Sequence, residues 1–427
     1  MNDPSVFSPT ALHPAQVNTQ SLGRLKISLT TASGYTPVAG ARIRIAYMGN
    51  PDQVIEELTT NDSGQTDTIE LPTPDLDYSL EPEASQPYSQ YTLTVSAPGY
   101  EDLVVAGTQL LSGQTALQDI RMAPSRNNPS GRDIVIPAHT LYGEYPPKIP
   151  EDEIKPVNES GEIVLSRVVI PETVIVHDGP PSDAAANDYY VPYGDYIKNV
   201  ASSEIYATWP EAAIYANVLA IMSFTLNRVY TEWYRNKGYN FTITSSTAYD
   251  HFFVYGRNIF ESISQVVDNI FTNFLSRPNV RQPILTQYCD GQRVTCPDWM
   301  SQWGSKTLAE QGYSAIEILR HYYGDTIYIN GAPQISGIPS SWPGSDLTIG
   351  SRGEKVLQMQ EQLNRIAQNY PALPTIAADG IYGPATAAAV KKFQEIFNLP
   401  ATGVVDYPTW YKISQIYVGV TRIAELN

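Results

Sequence analysis

The sequence is short of cysteine and of basic side chains, and both shortages exclude classes of protein. Two cysteines in 427 residues exclude a scaffold held together by many disulfides. Lys and Arg total 27 against 44 Asp and Glu, which gives a net charge of −17. Because nucleic acids and anionic membrane surfaces attract basic proteins, we expect neither a nucleic-acid partner nor a membrane partner.

Long apolar runs are also missing. The first twenty residues have neither the basic start nor the apolar stretch of a secretory signal, and no window approaches the roughly 18 apolar residues of a membrane-spanning helix. We therefore expect synthesis in a cytoplasm without a signal peptide. The chain does contain 42% hydrophobic residues, as globular proteins do, and its 29 Tyr and 6 Trp include candidates for stacking on sugars.

The length of 427 residues predicts two to four domains. Residues 1–22 are polar and are interpreted as a flexible tail or propeptide. Residues 23–123 alternate apolar and polar side chains in "RLKISLTT" and "ARIRIAYM", which predicts strands, with a turn at "NDSGQ". The order of these strands and turns resembles the transthyretin-like (carboxypeptidase regulatory-like) β-sandwich. Residues 124–165 are rich in proline and predict an exposed, protease-sensitive linker.

Residues 166–333 begin with strand-like segments and continue with helical periodicity. "TWPE" predicts a capping box, with Thr208 as N-cap and Glu211 at the third helical position, so Glu211 is assigned to capping rather than catalysis. The helix that follows is predicted to end at Gly238. A third helix is predicted over residues 256–275 and a fourth over residues 301–324, and residues 334–345 are predicted to form a second linker.

Residues 346–427 predict three helices. The stretch "GSRGEKVLQMQEQLN…DGIYGPATAAAVKKFQEIFNL" resembles the peptidoglycan-binding type-1 domain, matching its signature at Gly353, Val356, Leu363, Asp379, Gly380, Tyr382, Gly383, Thr386, Val390, Phe393 and Gln394. Most of these residues are interpreted as structural: Asp379 and Gly380 form a turn, and Phe393 points inward. The resemblance implies a glycan or stem-peptide groove near Asp379 and Tyr382, which are the candidate binding residues here.

The stretch "VPYGDYIKNVASSEIYATWPEAAIYANVLAIMSFTLN" resembles the stage II sporulation protein D family. It matches that pattern at Tyr196, Val200, Glu204, Trp209, Pro210, Glu211, Ala212, Ala216 and Leu226, and "MSQWGSKTLAEQGYSAIEILRHYYGDTIYI" matches a later segment. The fold class is therefore predicted as multidomain α+β, with a mixed α/β sporulation-D-like unit in the middle. Members of that family are lytic transglycosylases of peptidoglycan or non-enzymatic modulators of cell-wall amidases, and Glu204 falls on their catalytic glutamate.

The residues around Glu204 agree with acid–base chemistry. A lytic transglycosylase needs one carboxyl group that first donates and then accepts a proton, and this favours a pKa raised toward neutrality. Apolar neighbours and unpaired carbonyls at the end of the preceding helix would both raise the pKa of Glu204. The alternative is a solvated glutamate at a helix end.

Three further residues are candidate substrate contacts. Ser301 and Gln302 match the family's "MSQ", and their hydrogen-bonding groups suit a glycan, although Ser301 is also a helix N-cap candidate. Tyr288 precedes Cys289 on a strand that this family's fold would place near Glu204.

Cys289 and Cys296 leave three states open: a zinc site, a local disulfide or free thiols. Some family members bind zinc in this region through Cys and His, but His251 and His321 lack ligand spacing in this sequence. We therefore expect no cofactor, with zinc at Cys289 and Cys296 kept as an alternative.

The order of the three units resembles clostridial spore-cortex-lytic enzymes of the SleC type. That resemblance implies a germination enzyme of the spore cortex and coat region, made in the mother cell as a zymogen. It also implies activation by a subtilisin-like germination protease and action on cortex peptidoglycan that carries muramic-δ-lactam. The alternatives are a non-catalytic modulator of an amidase, a structural spore protein, and a glycan hydrolase.

Overall fold

The computed structural model describes residues 21–125, 133–155, 165, 167–337 and 341–421. Almost all of the predicted tail, residues 1–20, lies outside the described residues, as do parts of both predicted linkers. The described chain contains an N-terminal pair of β-sheets, a middle unit of helices and short strands, and a C-terminal helical unit. This architecture confirms the multidomain α+β class.

Alternating apolar side chains build the N-terminal sandwich. Its strands are β1 (Leu22–Thr31), β2 (Arg42–Tyr47), β3 (Val54–Thr59), β4 (Ile69–Pro72), β5 (Ser89–Ser96), β6 (Leu103–Leu110) and β7 (Thr115–Met122). Along β1, Leu25, Ile27 and Leu29 are buried between more exposed neighbours, as the pleat of a half-buried strand requires. One sheet contains β7, β1 and β4, and the other contains β3, β2, β5 and β6. The transthyretin-like class stays a prediction.

The predicted turn at "NDSGQ" depends on Gly64. This residue has a φ of 70°, and a Cβ atom there would collide with the carbonyl oxygen of Leu29. The Asn61 side chain accepts hydrogen bonds from the N–H groups of Ser63 and Gln65 at 2.9 and 3.1 Å. The turn between β3 and β4 is therefore confirmed.

The sandwich shares its sheets with the chain that follows it. Strand β8 (Ile134–Val135) pairs with β6, and a strand from the middle unit, residues 259–260, pairs antiparallel with β7. The side chains of the sandwich and the middle unit form one continuous apolar core. The predicted boundary at residue 123 therefore does not separate two independent cores, because backbone hydrogen bonds and apolar contacts cross it.

The middle unit surrounds one central helix. Its strands are β9 (Val169–Ile170), β10 (Thr173–His177), β11 (Asp188–Pro192), β12 (Ile243–Thr244), β13 (Ile259–Phe260), β14 (Asn273–Ser276), β15 (Tyr288–Cys289), β16 (Met300–Ser301), β17 (Tyr328–Gly331) and β18 (Gln334–Ile335). Its helices are α1 (Tyr193–Glu204), α2 (Glu211–Tyr230), α3 (Glu261–Ile270), α4 (Gln302–Glu310) and α5 (Ala315–Tyr323). Among the described helices, α2 alone is long and apolar enough to cross a membrane, but 83% of that stretch is buried inside the protein. It is the core helix of this unit.

Several predicted helix limits are wrong because tertiary contacts decide them. Thr208 does not cap α2: its hydroxyl donates to Ser79 of the sandwich at 2.8 Å, and Pro210 is the N-cap residue. The helix ends at Tyr230, and Gly238 instead ends a short 3₁₀ helix over Arg235–Lys237. The predicted third helix is helical only over α3, flanked by β13 and β14, and the predicted fourth helix is broken into α4 and α5.

Residues 133–155, here called the 133–155 segment, are not an exposed linker. The segment runs along the middle unit, and two glutamines of that unit, Gln282 and Gln287, hydrogen-bond to its backbone. The prediction of an exposed linker rests on the proline content of this segment. Proline removes backbone donors, but the remaining backbone groups can still be satisfied by side chains of a neighbouring unit.

The C-terminal unit has a separate core formed by three helices, α6 (Glu354–Ala367), α7 (Pro384–Ile396) and α8 (Tyr407–Thr421). Three predicted details are confirmed. Gly380 takes a φ of 72° in the predicted turn, Pro384 is the first residue of α7, and Phe393 is fully buried. The unit contacts the sandwich where Lys26 donates to Asn398 at 2.7 Å.

The strand pair between β13 and β7 generates a stability prediction. Phe260 is 1% exposed in the shared core, whereas Ile259 beside it is partly exposed. Phe260→Ala is expected to lower the free energy of unfolding by about 3–5 kcal/mol, because it leaves a cavity. Denaturant unfolding measures this loss, with Ile259→Ala as the matched control. Equal losses in the two variants would contradict the shared core.

Candidate active site

Glu204 is the last residue of α1 and is buried. Its side chain is 3% exposed, so the solvated helix-end alternative is wrong. The N–H of Phe252 donates to Oε1 at 2.7 Å, and the hydroxyl of Tyr288 donates to Oε2. The carboxyl group is therefore held in one orientation by two donors from different segments.

The carbonyls at the end of α1 are not unpaired, contrary to the prediction. The Thr140 hydroxyl donates to the carbonyl of Ser203 at 3.1 Å, and the Gln302 amide donates to the carbonyl of Glu204 at 3.0 Å. These donors neutralise part of the negative end of the helix dipole. The helix end is therefore a weaker cause of a raised pKa than the sequence indicates.

Burial raises the pKa of the Glu204 carboxyl. The positive charge of Lys148, the N–H of Phe252 and the Tyr288 hydroxyl act in the opposite direction, and burial prevails. Desolvation disfavours the charged carboxylate, so the protonated form persists to higher pH than in an exposed glutamate. Such a group can donate a proton to a leaving oxygen.

Glu204 lies at a cavity of about 520 Å³. Tyr288, Asp290 and Gln302 line the cavity beside it, and residues 143–148 of the 133–155 segment also form part of its wall. The structure therefore brings Glu204, Tyr288 and Gln302 together, as predicted, with Gln302 buried and donating to the backbone of Glu204.

Ser301 caps α4, which confirms the structural alternative for this residue. Its Oγ accepts a hydrogen bond from the N–H of Gly304 at 2.9 Å and lies 3.3 Å from the carbonyl oxygen of Asp290, to which it donates. The Ser301 hydroxyl thus takes part in two hydrogen bonds within the protein. Its role as a glycan contact stays a prediction.

Cys289 and Cys296 form a disulfide. The two sulfurs are bonded to each other, so they do not fit a zinc site, and the described residues contain no cluster of three or more His, Cys, Asp or Glu placed for a metal. The disulfide closes a loop whose turn is held by the Asp290 carboxylate, which accepts from the N–H groups of Gln292 and Val294 at 3.1 and 3.0 Å.

The two candidate binding residues of the C-terminal unit lie apart from Glu204. Tyr382 is 1% exposed, and its hydroxyl donates to the carbonyl of Gly403 at 2.9 Å, so the prediction that its side chain contacts a ligand is wrong. Its aromatic ring fills the core of that unit. Asp379 is exposed and accepts from the N–H of Ile381 at 2.9 Å, and its role in binding stays a prediction.

Two functional positions were missed from the sequence. Phe252 contributes a backbone donor, which no side-chain pattern reveals. Lys148 lies in the proline-rich "YPPKIP", a composition that indicates a linker rather than a site. Its ammonium group donates to the carbonyl of Asp250 and lies 4.9 Å from the centre of the Tyr288 ring.

The disulfide can be tested by alkylation of the unfolded protein. We expect no iodoacetamide adduct at Cys289 or Cys296 before reduction and two adducts after it, measured by peptide mass spectrometry. Cys296→Ser is expected to lower the free energy of unfolding by about 2–3 kcal/mol, because the short loop regains entropy in the unfolded chain. Adducts formed without reduction would contradict the disulfide.

Comparison with known proteins gives a partial match. Residues 352–413 match the family model of the peptidoglycan binding domain. The zinc D-Ala-D-Ala carboxypeptidase of Streptomyces albus G is 43% identical over 77 residues, which are 18% of this chain and 28% of that protein. The chain thus spans well under two thirds of that curated relative.

Two solved structures show local similarity. The SleB N-terminal domain is 29% identical, over 17% of this chain and 93% of that one, with a TM-score of 0.15. Catechol 1,2-dioxygenase from Acinetobacter is 13% identical, over 29% of this chain and 60% of that one, with a TM-score of 0.19. These TM-scores are too low to carry an argument. The family match assigns residues 352–413, within the C-terminal helical unit, as a peptidoglycan-binding domain.

Proposed function

We propose that this protein is a lytic transglycosylase that cleaves the MurNAc–GlcNAc bond of spore cortex peptidoglycan during germination and leaves 1,6-anhydromuramic ends. The observation that carries this proposal is the carboxyl group of Glu204, which is buried, has a raised pKa and lies at a cavity. The peptidoglycan-binding domain would keep the enzyme on its insoluble substrate.

One carboxyl group can perform the whole reaction. Protonated Glu204 donates its proton to the glycosidic oxygen, and the bond between that oxygen and C1 of muramic acid breaks. The C6 hydroxyl of the same muramic acid then attacks C1 and transfers its proton to the Glu204 carboxylate. The new bond closes the 1,6-anhydro ring, and Glu204 is protonated again, so no water is consumed.

The surroundings of Glu204 favour this reaction over glycan hydrolysis. Ordinary glycosidases use a second carboxylate as a base or nucleophile. Asp290 also lines the cavity, but its carboxylate accepts hydrogen bonds from the backbone of its own turn. Glu144, the other acidic residue lining the cavity among the described residues, belongs to the 133–155 segment rather than to the middle unit.

The place and timing of action form part of the same proposal. The enzyme would be stored in the cortex and coat region of the spore as a zymogen and activated by a subtilisin-like germination protease. Cortex peptidoglycan with muramic-δ-lactam would be its substrate. The stretches on both sides of the 133–155 segment, "RNNPSGR" and "PVNESGE", are polar and contain Gly and Ser, a composition that supports proteolysis there.

Muropeptide analysis tests the reaction. The full chain, activated by limited digestion with a subtilisin-class protease, is incubated with decoated spore cortex, and the released products are identified by mass spectrometry. We expect anhydromuramic products from the wild type and a loss of at least about 100-fold with Glu204→Gln, because the general acid is removed. Glu211→Gln is the matched control, since Glu211 is exposed at the start of α2.

Other products would point to the alternative functions. Reducing-end muropeptides would identify a hydrolase. Cortex binding without any product from the digested wild-type chain would contradict the enzyme and favour an amidase modulator or a structural spore protein. Equal activity of Glu204→Gln and Glu211→Gln would exclude Glu204 as the acid.

The raised pKa of Glu204 predicts the pH dependence. The acid acts when protonated, so activity falls as pH rises through its pKa, which lies above the value of about 4.3 for an unperturbed glutamate. Tyr288→Phe removes a hydrogen bond that lowers this pKa, so the alkaline limb of the kcat profile is expected to move to higher pH. A limb that stays in place or moves to lower pH would show that Tyr288 does not act through this carboxyl group.

A further inference from the structure

A second concave surface lies beside the cavity of Glu204. It is a groove of about 660 Å³ between the sandwich and the middle unit. Phe252 lines this groove, and the N–H of the same residue donates to Oε1 of Glu204 at 2.7 Å. The Phe252 ring also packs on Tyr145, which lines the Glu204 cavity, with ring centroids 4.6 Å apart. The groove and the cavity therefore adjoin at these two rings.

Three tyrosines line the side of the groove that the middle unit forms: Tyr189, Tyr190 and Tyr255, here called the tyrosine platform. Tyr190 is 70% exposed and Tyr255 is 43% exposed. The ring of Tyr189 stacks on that of Tyr255, with centroids 4.3 Å apart and 14° between the ring planes. Large exposed rings that cluster in one groove, rather than lying singly on the surface, indicate a binding surface.

The platform is fixed to the helix that carries the acid. Two of its tyrosines lie on β11, the outer strand of its sheet, and the third precedes a turn at Gly256, whose φ is 74°. The Asn199 side chain of α1 donates to the carbonyl of Val254 at 2.8 Å and accepts from its N–H at 3.1 Å. Because Asn199 and Glu204 share α1, the position of Tyr255 relative to Glu204 is set by this helix.

Acidic side chains dominate the charged lining of the groove. Among the described residues, six acidic side chains line it against two arginines. Phosphate-bearing polymers and peptides with several carboxylates are repelled by such a lining. The acidic residues are Glu101, Asp102, Asp119, Asp133, Asp178 and Asp195. Carboxylates accept hydrogen bonds from hydroxyl groups, and aromatic rings offer an apolar surface, so neutral sugar rings suit both kinds of side chain.

We infer that the tyrosine platform binds neutral sugar rings of the glycan strand, on one side of the bond that is cleaved at Glu204. The inference rests on the proposed function of Glu204. A strand cut within its length has sugars on both sides of the acid, and the groove adjoins the cavity at Phe252. The occupant is a stretch of glycan without stem peptides, because the acidic lining repels the carboxylates that those peptides carry.

Footprinting with tetranitromethane tests the site without turnover. The full-length Glu204→Gln variant is nitrated alone, with peptide-free glycan strands prepared by amidase digestion, and with the stem peptides that the same digestion releases. Peptide mass spectrometry then gives the rate of nitration at each tyrosine, so binding at the C-terminal unit is read separately. Tyr313 is the matched control, because it belongs to the middle unit and is 43% exposed, as Tyr255 is, but does not line the groove.

Glycan strands are expected to slow nitration of Tyr190 and Tyr255 by at least about threefold, whereas Tyr313 stays within about 1.5-fold, because only the bound surface is shielded. Stem peptides are expected to change none of these rates. Protection by stem peptides instead would identify a peptide site and overturn the inference. Unprotected platform tyrosines, or equal slowing at Tyr313, would overturn it as well.

Kinetics separate this inference from the proposed reaction. In the protease-digested chain, Tyr190→Ala is expected to raise KM for long glycan strands about threefold or more relative to KM for tetrasaccharide fragments, because the platform contacts only distant sugars and binds substrate and transition state alike. Tyr313→Ala is the control. Equal changes for long and short substrates would contradict the platform. Protection of the platform tyrosines without any cleavage by the wild type would keep the binding site and refute the proposed reaction.

Discussion

The buried guanidinium of Arg228 holds together the segments that form the candidate active site. Arg228 and Asp250 are fully buried, with 2.7 Å between Nε and Oδ1, and Glu151 on the 133–155 segment pairs with the other side of the guanidinium. A buried charge costs several kcal/mol when it is unpaired, so these segments are strongly held in one arrangement. Phe252, whose N–H donates to Glu204, follows Asp250 by two residues. Lys148, which lines the same cavity as Glu204, precedes Glu151 by three residues.

Asp250 and Glu204 are both buried carboxyl groups, but their surroundings differ. Asp250 pairs with Arg228 and also accepts hydrogen bonds from the Tyr234 hydroxyl and from the N–H and hydroxyl of Thr244, which hold its side chain in one position. Glu204 accepts from Phe252 and Tyr288 and faces a cavity instead. Different surroundings can thus assign structural and chemical roles to the same functional group.

The sequence predicts those parts of the molecule that depend on local patterns. The three helices of the C-terminal unit, the turn at Gly380 and the position of Glu204 at the end of α1 follow from periodicity and turn residues. The wrong predictions concern residues whose surroundings are set by tertiary contacts. Thr208 donates a hydrogen bond to Ser79 of the sandwich, and Tyr382 is a core residue of the C-terminal unit. The 133–155 segment was missed because its partners are amide and ionic side chains far away in sequence, which composition does not reveal.

The contacts between the sandwich and the middle unit control how quickly a cut chain comes apart. Strand β13 pairs with β7, Trp209 donates to the carbonyl of Ser79 at 3.0 Å, and Asn258 and Gln109 exchange hydrogen bonds at 2.9 Å. A chain cut between the sandwich and the middle unit stays assembled until these contacts break together. Release of the fragment after cutting is then a first-order step. Its rate rises steeply with temperature and does not depend on the amount of protease.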